Sequence, residues 1–138
     1  MSRSIYYIDT HEPLTEDEIT NLLFRVKEDT GTRFKIQICL HNACLGAVSP
    51  DPEDSNYTFR FRLVAAIYVH WFLGQVDDLK PGQSLDEKTI RFFAKLIHKV
   101  ANLSEASVIN LRNAFEDFEK DNLVENLSMA ILREFLSA

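Results

Sequence analysis

Cys39, His41 and Cys44 stand as C-x-H-x-x-C within ICLHNACLG, a stretch holding both cysteines of the 138-residue chain and one of its four histidines. Three readings compete for these residues. A structural zinc site needs four tetrahedral ligands. Only three lie here, and a fourth would have to come from His11, His70, His98 or a carboxylate. No second ligand pair sits at zinc-ribbon spacing. A thiolate–imidazole pair is the second reading. Two positions apart on a strand, Cys39 and His41 point to the same face. A nucleophile also needs an activating environment and a group that orients its base, and the sequence shows neither. In the third reading cysteine is a small apolar residue. ICLHNACLG is then the end of a strand whose apolar loop packs back on the core. We expect this third arrangement, with no metal and no cofactor.

Basic residues form the next chemical feature. Lys88, Arg91, Lys95, His98 and Lys99 recur at steps of three and four, so they share one helical face. Phe93, Leu96, Ile97 and Val100 fall on the opposite face and should enter the core. The stripe is pure in sign although the chain carries a formal net charge of -6 and has a pI near 5.2. An acidic chain repels phosphate backbones unless its positive charge is segregated, so nucleic acid is not the expected partner. A basic strip of this kind fits an acidic protein surface or an anionic ligand. Further on, NAFEDFEKDN gathers Glu116, Asp117, Glu119 and Asp121, with Phe115 and Phe118 on the core side. The cluster lacks the ligand order and central glycine of an EF-hand. It is expected to face the basic stripe of its antiparallel neighbour.

The last segment is apolar on two sides. Leu123, Leu127, Ala130 and Ile131 form one stripe, and Met129, Leu132 and Leu136 form another. A helix with two apolar sides is central to a core or covered by a partner. Met129, Leu132 and Leu136 are therefore candidates for self-association into a dimer or for contact with another protein.

The elements that position these groups follow from periodicity. Thr15 and Glu18 make a capping box, and Ile19, Leu22, Leu23 and Val26 follow at helical spacing until Gly31. Ile5 to Asp9 reads as a short strand. Phe34, Ile36, Ile38 and Leu40 alternate with polar neighbours, which predicts a second strand. Strand, helix, strand would make a right-handed crossover. Residues 41 to 56 read as a loop. Tyr57, Phe59, Phe61 and Leu63 alternate with Thr58, Arg60 and Arg62, so this segment is open between strand and helix. A helix is expected from Leu63 to Gln75. Alternatively, Asp54 or Ser55 caps one long buried helix reaching Gly74. Ser84 and Glu87 form a second capping box, opening a helix from Leu85 to Asn102. Two more helices run from Ser104 to Asp121 and from Leu123 to Leu136.

Together these readings predict one globular domain over residues 1–138. Its fold class is α+β and helix-dominated: a small N-terminal sheet and about five helices, the last three packed as a bundle. The longest strongly apolar run, Leu63 to Leu73, is too short to span a bilayer. MSRSIYYIDT lacks the apolar core of a signal peptide, and a cytoplasmic setting without membrane contact is expected. No glycine-rich phosphate loop, G-x-S-x-G or H-E-x-x-H occurs. The expected role is a non-catalytic protein-interaction module: an inhibitor, adaptor or regulatory subunit. The rivals are a small enzyme using Cys39 or Cys44 with His41, and an apolar-ligand carrier lined by aromatics between Tyr57 and Phe72.

Overall fold

The computed structural model describes residues 14–27, 29–47 and 55–115, with the side chains of 14–27, 29–40 and 59–113. Among the described residues every regular element is helical. The helices are α1 (Glu16–Phe24), α2 (Thr30–Ala47), α3 (Ser55–Ala65), α4 (Leu73–Asp77), α5 (Glu87–Ala101) and α6 (Glu105–Phe115). A π-helical segment, Ala66–Phe72, joins α3 to α4, so residues 55–77 form one continuous helix. The α+β expectation is corrected: no strand occurs among the described residues. The proposed strand over Ile5 to Asp9 lies outside them. None of the described helices is long and apolar enough to cross a membrane.

α1 begins as its sequence predicts. Glu18 N–H donates to Thr15 Oγ1 at 3.1 Å, and Thr15 N–H donates to Glu18 Oε1 at 3.2 Å. The helix stops at Phe24, earlier than Gly31 suggested. Gly31 instead lies in the first turn of α2, because Asp29 caps a new helix: Thr32 N–H donates to Asp29 Oδ1 at 2.7 Å.

α2 occupies the segment read as strand, strand end and loop. Among its described side chains the buried ones are Thr32, Ile36, Cys39 and Leu40, with Ile36 three or four positions from each of the others. Phe34 and Ile38, which the alternating pattern placed inside, are 63% and 43% exposed. Treating Cys39 as polar produced the false period of two. Counted as apolar, it completes a helical stripe.

The segment from Tyr57 to Leu63 is also helical, part of the long helix from Ser55 that was the alternative reading. The alternation misled because Arg60 was taken as solvent-facing, whereas it is buried and Arg62 is exposed. In the π segment, i→i+5 bonding widens the turn, and Tyr68 and Phe72 are both fully buried with stacked rings 6.3 Å apart. The Tyr68 hydroxyl donates to the Arg33 carbonyl at 2.8 Å and ties this helix to α2. Burial pushes the Tyr68 phenol well above its ordinary range, so it stays a protonated donor.

The turn before α5 is built as expected. Gln83 N–H donates to the Lys80 carbonyl at 3.0 Å, with Pro81 and Gly82 at the corner. Gly82 has φ +84°, the conformation a type II turn requires of its third residue. The expected Ser84–Glu87 box does not form. Asp86 is the cap, accepting from Lys88 N–H at 3.3 Å, and the Glu87 carboxylate turns to Arg91 instead.

α1 packs along α5, and Lys27 Nζ donates to the Gln83 carbonyl, so the end of α1 lies beside the start of α5. α3 and the π segment pack on α5 from the core side. α6 packs against α3. The last predicted helix lies outside the described residues. One cluster of buried side chains runs from Leu14 to Leu111 and draws on α1, α2, α3, the π segment, α4, α5 and α6.

Arg60 closes this core. Its Nη1 donates to the carbonyls of Val100 and Ala101 at 2.8 and 3.1 Å, and its Nη2 to Leu103 at 2.8 Å. Glu105 Oε1 lies 3.7 Å from Nη2. The guanidinium thus fills the carbonyl end of α5, where the helix leaves acceptors unpaired and its dipole favours a cation. Arg60→Met should therefore be costly, because buried carbonyls lose their donors at roughly 1–3 kcal/mol each. Urea unfolding should show a loss of about 2–5 kcal/mol; a loss below about 1 kcal/mol would mean that the bonds contribute no net stability. A second outcome concerns Asp29, whose carboxyl is held below its ordinary pKa chiefly by the Thr32 N–H. A depressed folded-state pKa stabilises the fold above the ordinary carboxylate value, and that stability is lost as pH falls through the lowered value. Asp29→Ala should lower Tm at neutral pH, and the gap from wild type should close on acidification.

Candidate partner-binding surface

α5 carries two faces of opposite character. Ile90, Phe93, Ala94, Leu96, Ile97, Val100 and Ala101 are buried. The four Phe93–Val100 residues expected in the core are all among them. At about 100° per residue, Lys88, Phe92, Lys95 and Lys99 fall within an arc of about 60° on the other side, with Arg91 at its margin. Lys88, Arg91 and Lys95 are exposed, while Lys99 and His98 are half-buried. The structure therefore brings the four cationic candidates onto one outward face.

They are not equivalent. Arg91 is engaged by Glu87 one turn earlier, with Nε–Oε1 and Nη2–Oε1 both 2.9 Å. An exposed i, i+4 pair of this kind contributes about 0.3–0.5 kcal/mol, and it neutralises the charge locally. Among the described residues, no side-chain partner is recorded for Lys88 or Lys95. The exposed charge of the face is thus centred on Lys88 and Lys95, compact point charges rather than planar forks.

Phe92 was missed in the sequence reading. It is 43% exposed at the edge of the basic arc, on the side away from Arg91. Its ring meets Phe93 edge-on, with centroids 5.6 Å apart. Phe93 meets Phe72 edge-on at 5.4 Å, and Phe72 stacks on Tyr68. The exposed ring is therefore the outer end of an aromatic column rooted in the core. The available signal was its position four residues after Lys88 and three before Lys95. The neighbouring Phe93 took the core assignment and drew attention from it.

Phe34 and Ile38 form another exposed apolar pair, one turn apart on α2. Met129, Leu132 and Leu136 lie outside the described residues, as does the acidic cluster from Glu116 to Asp121.

The cysteine–histidine arrangement changes with the fold. Positions 39 and 41 belong to one helix, so about 200° of rotation separates them. The strand reading had put them on one face. Cys39 is buried at 5% exposure, and burial pushes its thiol pKa up, the opposite of what an activated nucleophile needs. The side chains of His41 and Cys44 are not among those described. Among the described residues, no three His, Cys, Asp or Glu side chains gather closely enough to hold a metal ion. The aromatics offered as a ligand lining are used in packing: Phe59, Tyr68 and Phe72 are all buried in the core cluster.

No protein-family model matches this sequence, and no curated protein or solved structure matches the chain.

The thiol analysis has a direct consequence. Cys39 in native protein should react with iodoacetamide at least about tenfold more slowly than in urea-unfolded protein, because only the exposed thiolate attacks. Mass spectrometry of the alkylated peptides would measure this, and native labelling as fast as unfolded would contradict the burial of Cys39.

Proposed function

We propose that this chain is a non-catalytic protein-interaction module, an inhibitor, adaptor or regulatory subunit, that engages an acidic partner through the outer face of α5. The observation that carries the reading is the basic arc of Lys88, Lys95 and Lys99 beside an exposed Phe92, on a helix whose other face is buried. Charge of one sign steers association and selects the partner. An exposed aromatic at the edge of the arc supplies an anchor for such contacts. The overall charge of -6 favours a protein over a nucleic acid, since the rest of the surface repels phosphates. A cysteine-dependent enzyme fits less well, because Cys39 is buried with a raised pKa.

The test uses the double variant Lys88→Glu/Lys95→Glu. Both side chains are exposed, so the variant should keep its stability within about 0.5 kcal/mol per site. Partners captured by wild-type protein, then purified, should bind the variant at least about tenfold more weakly. The salt dependence of association should also flatten. Undiminished binding by the folded variant, or a captured ligand that proves to be nucleic acid, would defeat the proposal.

A further inference from the structure

We propose that the acidic partner presents an amphipathic helix lying along α5, with two carboxylates seven positions apart for Lys88 and Lys95 and an apolar side chain between them for Phe92. The inference rests on reading this face as a surface for acidic partners, and adds the form that the partner takes. Lys88 and Lys95 are exposed. They stand two turns apart on α5, separated by about 10.5 Å along its axis. Phe92 lies between them in height, about 6 Å from the level of Lys88 and about 4.5 Å from that of Lys95, and to one side of both. Its ring is 43% exposed and is backed by Phe93, with centroids 5.6 Å apart. Arg91, at the other margin, is engaged by Glu87. The face therefore offers a cation, a ring and a cation in axial order.

This axial step discriminates between partner conformations. A second helix has the same rise per residue, so carboxylates at i and i+7 share one face and match the lysine separation. A residue at i+3 falls level with Phe92 when the two helices run antiparallel, and one at i+4 when they run parallel. A β-strand advances about 3.3 Å per residue and alternates its faces. Three strand residues cover the same distance, which puts the two carboxylates on opposite faces. Packed helix axes lie about 8–10 Å apart, and charged pairs flanking an apolar seam are what set partner choice between paired helices. The chain's net charge of -6 repels an acidic helix as a whole, which confines favourable contact to a locally basic face.

The experiment titrates the ¹⁵N-labelled full-length chain with synthetic peptides built on Glu-x-x-Leu-Leu-x-x-Glu, where x is Ala or Gln and a hydrocarbon staple on the far face holds the helix. The motif reads the same in both directions, so it serves parallel and antiparallel docking alike. Amide shifts should centre on Lys88, Phe92 and Lys95. The stapled peptide should bind at least about tenfold more tightly than an unstapled one interrupted by proline, which cannot form the helix. It should exceed by about the same factor a stapled peptide with both glutamates moved to the opposite face. Lys88→Glu/Lys95→Glu should weaken it at least about tenfold, and Phe92→Ala at least about threefold, with circular dichroism confirming each fold. Equal affinity for the proline-interrupted peptide, or for the one with displaced glutamates, would overturn the helical partner while leaving the acidic-partner surface in place. No saturable binding up to about 1 mM, or binding that the folded variants leave unchanged, would also overturn it. Sedimentation showing a dimer lost in Lys88→Glu/Lys95→Glu would assign the face to a second copy instead. Binding to phosphatidylserine vesicles but not to the stapled peptide would assign it to a membrane. Capture of natural partners by the double variant is read separately, so failure of the helical form and failure of the partner surface are distinguished.

Discussion

A buried cation organises the described helices. Arg60 is 1% exposed, and a guanidinium so placed is stable only when its donors are all directed at acceptors. The acceptors it finds are the carbonyls of Val100, Ala101 and Leu103. Those groups are the end of α5 and the link to α6, so one side chain of α3 sets where α5 stops and where the next helix begins. The exchange is mutual. The helix end needs donors and a positive charge, and the charge needs acceptors out of water.

With its carbonyl end held by Arg60 and its start tied to α1 through Lys27 and Gln83, α5 has little freedom to rotate. Its burial pattern then divides it into a core side and a basic side. The aromatic column from Tyr68 through Phe72 and Phe93 to Phe92 crosses that division. Tyr68 is fixed at the inner end by its bond to the Arg33 carbonyl, and Arg33 in turn bonds the Val26 carbonyl and pairs with Asp77 at 2.7 Å. Side-chain order therefore extends from the junction of α1, α2 and α4 to an exposed ring. A ring already immobilised loses little entropy when a partner covers it.

In a chain with a net charge of -6, an unmixed basic arc sets up a local field opposed to the global one. Under the proposed reading, such a field would steer acidic ligands toward this face in one orientation. Among the described residues, Arg91 pairs with Glu87 and neutralises one margin of this face, with Lys88 and Lys95 on its exposed part.

Local rules were sufficient where the determining contacts lie within one turn. The Thr15–Glu18 box, the Pro81–Gly82 turn and the two faces of α5 were all readable in sequence, because each depends on residues at most four apart or on a regular helical repeat. Other features were not, for two physical reasons. Apolar residues at positions 34, 36, 38 and 40 satisfy a strand period, and only the assembled core shows that Ile36, Cys39 and Leu40 are the buried set. Arg60 looks like a solvated residue in YTFRFR because its acceptors lie some forty positions away. Composition and periodicity thus determined the basic arc and the capped start of α1 by themselves. Tertiary structure alone decided that the cysteine stretch is helical and that Arg60 points inward, since both depend on which distant groups remove a side chain from water.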